Sequence, residues 1–160
     1  MPKTEIELNP VDFVTIGTIG PRGKRTFHLQ AGHDARLIDF VIEKEQAWAL
    51  GDAIRDFLDD VDERTQEETT VEMAAMDMEL REPIQPLFRV AQMGLAYDDA
   101  INMVILTSLE MLEEDTEDPS IVRMWCTRHQ MRALSLQALD VVSAGRPSPK
   151  QNGRITYYWT

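Results

Sequence analysis

Three cations, Arg22, Lys24 and Arg25, fall within one short run bracketed by Gly20 and Gly23. Guanidinium and ammonium groups at that density, beside backbone amides freed by glycine, are chemistry for a single anionic group such as a phosphate. A solvated hairpin tip is the plainer alternative. Few other reactive sets stand out. The histidines His28, His33 and His129 fall on a strand, in a turn and at a helix start, and no Gly-x-Ser-x-Gly elbow precedes a helix. A hydrolase triad is therefore not spelled out. A Walker loop is excluded because Gly-x-x-x-x-Gly-Lys-Ser/Thr is missing. Cys126 is the single cysteine, which rules out a disulfide framework and a multi-cysteine zinc site, and beside Trp125 it reads as an inert buried thiol. We expect no catalytic residue, no metal and no cofactor.

A second polar set stands at two helix starts. Glu43, Lys44 and Gln46 open one helix, and Arg128, His129 and Gln130 open another at the equivalent position. A pseudo-twofold relation would set them across one groove. Ordinary capping and ion pairing is the competing reading.

Charge narrows the partners. The 160 residues carry 16 basic and 28 acidic side chains, a net −12. Between Asp56 and Glu82 stand 11 acids against Arg64 and Arg81, and from Glu110 to Asp118 there are six acids and no base. Those stretches carry −9 and −6, so the remainder is slightly basic at +3. This argues against a general nucleic-acid surface or an anionic-membrane binder, both of which need a basic face. Neither acidic run contains the glycine turn of a calcium loop. They suit a basic protein partner instead. The start, Met1 to Glu7, lacks a signal peptide's apolar core, and no apolar run approaches the roughly 20 residues that cross a bilayer, so a cytoplasmic location is expected.

The elements that hold these groups follow from periodicity. Phe13 to Ile19, Arg25 to Gln30 and Leu37 to Ile42 are β-prone runs separated by glycine-containing turns, which predicts an antiparallel meander tipped by the cations. Ala47, Leu50, Ile54, Leu58 and Val61 then recur at helical spacing. The pattern returns with strands at Phe88 to Leu95, Asn102 to Leu109 and Ile121 to Cys126, followed by a helix that stops at Gly145-Arg146-Pro147. A shift of 84 residues puts Phe40 on Met124, Gln46 on Gln130 and Leu50 on Leu134. The expected fold is α+β: a duplicated βββα unit, antiparallel sheet or sheets, two main helices and a pseudo-twofold. One domain spans 1–147, with repeat one at about 11–62, an acidic linker at about 63–82 and repeat two at about 87–145. Met76 to Arg81 alternates apolar and charged residues, which predicts an extra edge strand. A tail, 148–160, ends in the aromatic run Tyr157, Tyr158 and Trp159, which needs a surface to cover it, either its own domain or a partner.

Several runs resemble a bacterial family known as domain of unknown function 3090: Gly20 to Gln30, Glu43 to Gln46, Phe88 to Asp98, Arg132 to Leu134, and Ser143 to Pro147. The resemblance covers nearly all of the folded part. Members of that family usually continue with a segment that resembles a small zinc ribbon. This chain has no Cys or His from Ser148 onward, so no zinc ligand is implied here. The resemblance implies no established activity. It implies genomic company with a histidine-phosphatase-like and a phosphatidylinositol-kinase-like protein, and so a shared process involving phosphoryl groups.

The leading expectation is a non-enzymatic binding or regulatory protein of the bacterial cytoplasm that acts through protein contacts or self-association. The alternative is a sensor or enzyme that takes a phosphorylated small molecule at Arg22, Lys24 and Arg25.

Overall fold

In the strand Thr26–His33, Phe27, Leu29 and Ala31 alternate with His28, Gln30 and Gly32, and all six are buried. Burial on both faces means that something covers each side of this strand. The computed structural model describes residues 4–114 and 117–144 and shows what does so. Its elements in chain order are β1 (Glu5–Leu8), β2 (Phe13–Ile19), β3 (Thr26–His33), β4 (Arg36–Ile42), α1 (Lys44–Thr65), a 3₁₀ turn (Met73–Ala75), β5 (Pro86–Asp98), β6 (Met103–Glu110), β7 (Ile121–Cys126) and α2 (Arg128–Ser143).

The architecture is α+β, with one mixed seven-stranded sheet in the order β1-β7-β6-β5-β4-β3-β2 and two helices. The expected all-antiparallel pairing fails at two junctions. β4 runs parallel to β5, with Phe40 opposite Phe88, and β1 runs parallel to β7, with Leu8 opposite Met124. The first departure has a mechanical cause: α1 and the segment after it carry the chain back to the end of the sheet where β4 began, so β5 starts in the same direction. The second comes from β1, four residues too short to announce itself by alternation. β1 and β2 are neighbours in sequence yet lie at opposite ends of the strand order, so the sheet must curl until its margins approach. The connection is pinned on both sides, Val11 N–H donating to Trp125 O at 2.9 Å and Asp12 N–H to Gly32 O at 2.6 Å.

The concave face carries the core. Ile16, Leu29, Phe40, Leu106 and Met124 from the strands meet Leu50, Ile54, Leu58, Met131 and Leu134 from the helices in one cluster. The helices run antiparallel and touch closely at Gly51, whose carbonyl accepts from Ser135 Oγ at 2.6 Å. α2 also shields the free edge of β2, Gln137 Nε2 donating to Ile16 O at 3.4 Å.

Met76 to Arg81 forms no strand. It crosses the outer face of β2 and β3 as an irregular strap, because its backbone groups bond sheet side chains instead of a neighbouring ladder. Met78 O accepts from Thr15 Oγ1 at 2.6 Å, and Arg81 N–H donates to Gln30 Oε1 at 2.8 Å while Gln30 Nε2 returns a bond to Arg81 O at 2.9 Å. Leu80 lies over Gly17, where a Cβ would come within 2.8 Å of its Cγ. The Arg81 guanidinium sits 3.5 Å from the centre of the Phe13 ring. Among the described residues, no helix is long and apolar enough to cross a membrane.

Candidate functional site

The densest polar assembly lies where α1 ends and α2 begins. Thr127 caps α2, its Oγ1 accepting from Gln130 N–H at 3.0 Å, and this fixes Arg128 at the first helical position pointing back toward α1. There Arg128 Nη2 donates to Asp62 Oδ1 at 2.5 Å and to Glu67 O at 2.5 Å, and its Nε donates to Thr69 Oγ1 at 3.0 Å. Asp62 also accepts from the Thr69 N–H and hydroxyl, at 2.8 and 2.5 Å, and from Arg132 Nη2 at 3.2 Å. Arg132 Nη2 reaches Asp59 as well, at 3.2 Å, and His129 Nδ1 lies 2.7 Å from Thr70 O. Burial raises the Asp62 pKa, but hydrogen bonds from the Thr69 side chain and backbone, then the hydrogen bond and charge of Arg128, outweigh it and hold the carboxyl below its ordinary value.

The consequence is a fixed acidic ledge. Two carboxylates of the acidic stretch, Asp59 and Asp62, are engaged by Arg132 and Arg128. Glu63, Glu67, Glu68 and Glu72 remain exposed on backbone that these arginines and Thr69 tie to α2. The ledge is thus a structured surface, in contrast to a loose connector.

The cationic trio sits on the turn between β2 and β3. Gly20 and Gly23 adopt positive φ, at 105° and 91°, and Lys24 N–H closes the turn on Pro21 O at 2.9 Å. Arg22 and Lys24 are exposed and Arg25 is half-buried. None of the three forms an ion pair among the described residues.

The helix-start residues do not meet. Glu43 pairs with Arg89 at 2.7 Å, and Gln46 binds Glu43 N–H and Val90 O, at 2.7 and 3.0 Å. Lys44 opens α1 beside them. Arg128 and His129 grip the ledge, and Gln130 caps α2 through Thr127 N–H and reaches Val11 O. Because the helices are antiparallel, Gln46 lies one helix-length from Asp62, about 24 Å at 1.5 Å per residue. The two triplets therefore line no common groove, and capping with ion pairing accounts for them. Tyr157, Tyr158 and Trp159 lie outside the described residues.

A third polar cluster lies beneath the strap. Asp39 on β4 is buried and accepts from Gln30 Nε2 at 3.1 Å, with His28 Nδ1 2.8 Å away. The signal for it is present in the sequence: His28, Gln30 and Asp39 alternate with core residues, and a meander register pairs Gln30 with Asp39. Beside the strap, a shallow groove of about 350 Å³ between β2 and α2 is lined by Gly17, Thr18, Leu80 and Val141, with Glu79 as its one ionisable side chain among the described residues. It holds no acid–base pair. Cys126 is fully buried, which pushes its thiol up to about 12.

The family model described as protein of unknown function (DUF3090) matches residues 6–153. No curated protein and no solved structure matches the chain.

Proposed function

This chain belongs to the DUF3090 family, and on that premise we propose that it is a non-enzymatic binding or regulatory protein of the cytoplasm whose partner is a protein with a basic face. The observation that carries this reading is the clamped ledge. Glu63, Glu67, Glu68 and Glu72 stand exposed on backbone held by Arg128 and Arg132, so a basic partner meets preorganised carboxylates and orders little chain on binding. Co-purification of the tagged full chain from its native cells at low salt should recover one stoichiometric basic partner. Replacing the four glutamates by glutamine should release it, as should raised salt. A partner retained by the glutamine variant sinks the reading.

We further propose that the fold is a duplicated βββα unit, β2-β3-β4-α1 followed by β5-β6-β7-α2. Support comes from matched details. The parallel junctions pair Phe40 with Phe88 and Met124 with Leu8, and each helix opens on a glutamine that binds its own N-cap and a strand-side carbonyl. Gly51 and Ser135, 84 residues apart, touch where the helices cross.

A second reading rests on Arg22, Lys24 and Arg25, which carry no ion pair among the described residues. They are suited to one phosphate group of a small molecule. A thermal-shift screen of nucleotides and sugar phosphates tests this. A ligand should raise Tm, and Arg25→Ala should abolish the rise. No shift with any phosphate compound refutes it.

A further inference from the structure

The groove beside the strap and the cationic turn form one continuous surface. The groove, about 350 Å³, is floored by Gly17 and Thr18 near the end of β2, with Leu80 and Glu79 of the strap on one side and Gln137 and Val141 of α2 on the other. That volume falls in the range of small-molecule sites. β2 ends at Ile19, and the turn that carries Arg22, Lys24 and Arg25 follows at once. A Cβ on Gly20 would stand 2.7 Å from Lys24 O, so the turn folds tightly back on the end of the strand. Thr18 is thus two residues, about 7 Å, from Gly20 and the cations that follow it. Ile19, exposed and apolar, bridges the interval.

The free polar groups change sign along this surface. At the turn stand three cations with no ion pair among the described residues. In the groove they are acceptors. The Glu79 carboxylate makes no hydrogen bond or ion pair among the described residues, and Gln137, whose Nε2 donates to Ile16 O at 3.4 Å, keeps its Oε1 free. Leu80 and Val141, half-buried and apolar, face the same space. A complementary molecule is anionic at one end, carries a hydroxyl donor, and ends in a body that gains from apolar walls.

We propose that this surface binds a ribonucleoside 5′-phosphate, with its phosphate on Arg22, Lys24 and Arg25, its ribose 2′-hydroxyl donating to Glu79 and its base between Leu80 and Val141. The inference rests on the second reading above, in which the three cations take one phosphate, and it names the rest of the ligand. Cationic donors meet phosphate oxygens in charge-assisted hydrogen bonds. A carboxylate that accepts from the 2′-hydroxyl separates ribose from deoxyribose, the device that dinucleotide-binding folds use. The same carboxylate repels phosphate, so the ligand lies in one direction only.

Titration calorimetry on the full chain at low salt tests it. The probes are the four common ribonucleoside 5′-monophosphates, their 2′-deoxy counterparts, the free nucleosides, ribose 5-phosphate and inorganic phosphate. At least one ribonucleotide should bind about tenfold or more tightly than ribose 5-phosphate, than its own nucleoside and than its deoxy counterpart. Glu79→Gln, at an exposed position, should erase the preference for ribose over deoxyribose, and Arg25→Ala the preference for nucleotide over nucleoside. Ribose 5-phosphate or inorganic phosphate that binds as tightly as every nucleotide overturns the proposal and leaves the phosphate reading standing. Failure of every phosphorylated probe to bind overturns both. A ribose preference that survives Glu79→Gln, or none in the unaltered chain, overturns the role of the groove.

Discussion

Arg128, the first residue of α2, and Asp62, in the last turn of α1, form an ion pair at 2.5 Å across 66 residues of sequence. Both side chains are largely out of solvent, at 6% and 14% exposure, so the pair is weakly screened and its loss leaves a stranded charge. Arg128→Met should cost about 3–5 kcal/mol, the range for removing one partner of a buried pair. Arg128→Lys keeps the charge but cannot serve Asp62, Thr69 and Glu67 together, and should fall between. Urea midpoints at constant m-value give the comparison, and a wild-type midpoint for Arg128→Met would mean that the clamp adds nothing.

Asp62 also sets an acid limit. Its folded pKa lies below the ordinary carboxylate value, because the hydrogen bonds from Thr69 and Arg128 outweigh burial. A depressed folded pKa means that the contribution is fully present above the unfolded value of about 3.9 and is lost as pH falls from there through the folded value. Unfolding free energy measured from about pH 6 down to pH 2 should therefore drop at the acid end. Asp62→Asn should be less stable at neutral pH and show a shallower acid slope. An unchanged slope would assign the acid sensitivity to other carboxylates.

Gly51 is a test of helix contact against helix propensity. Alanine in an exposed helix interior gains about 1 kcal/mol over glycine. Here a Cβ would come within 2.9 Å of Leu139 Cγ and 3.1 Å of the Ser135 backbone oxygen, and the latter cannot swing away. Overpacking costs about 1–3 kcal/mol, so Gly51→Ala should be net destabilising and Gly51→Leu more so. A rise in Tm for Gly51→Ala would show that the helices separate at little cost.

Local periodicity was enough for β2 to β7 and for both helices, because apolar residues alternate along the strands and recur at three- and four-residue spacing along the helices. The Gln46 and Gln130 caps were likewise visible as equivalent positions. What periodicity cannot carry is pairing between distant segments. The alternation of Met76 to Arg81 is real, but Leu80 uses it to meet Gly17 and Arg81 to meet Phe13, across a sheet face. The acidic stretch reads from sequence only as a linker, since nothing in 56–82 reveals that Arg128 and Arg132, some 60 residues later, will hold it. The polar set under the strap is only half legible: His28, Gln30 and Asp39 alternate with core residues, but Gln30 and Asp39 meet only once the hairpin register is known.

Cys126 should be chemically silent in the folded protein. Full burial pushes its thiol up to about 12, far above neutral pH, and the thiolate is the reactive form. A thiol-specific disulfide reagent at neutral pH should label it only on the timescale of unfolding, and stoichiometrically in denaturant. Rapid labelling of the native chain would require an opening of β7 that its pairing with β6 does not suggest.

The strap hangs on Gln30. Its amide donates to Asp39 Oδ2 and Arg81 O and accepts from Arg81 N–H, so Gln30→Leu removes two of the strap's three backbone bonds to the sheet, leaving Thr15 on Met78 O, and one donor to a buried carboxylate. Each buried group left unpaired costs about 1–3 kcal/mol, though the strap's groups regain water if it lifts. The loss should therefore be local, with the strap opening before the core does. Trypsin offers a direct readout, since Arg81 is itself a cleavage residue within the strap. Cleavage after Arg81 should accelerate by at least about tenfold in Gln30→Leu, matching about 1.4 kcal/mol of local destabilisation, while the thermal midpoint moves only a few degrees. Equal cleavage rates in the two proteins would mean that Thr15 on Met78 O, Leu80 on Gly17 and Arg81 on Phe13 hold the strap without the glutamine.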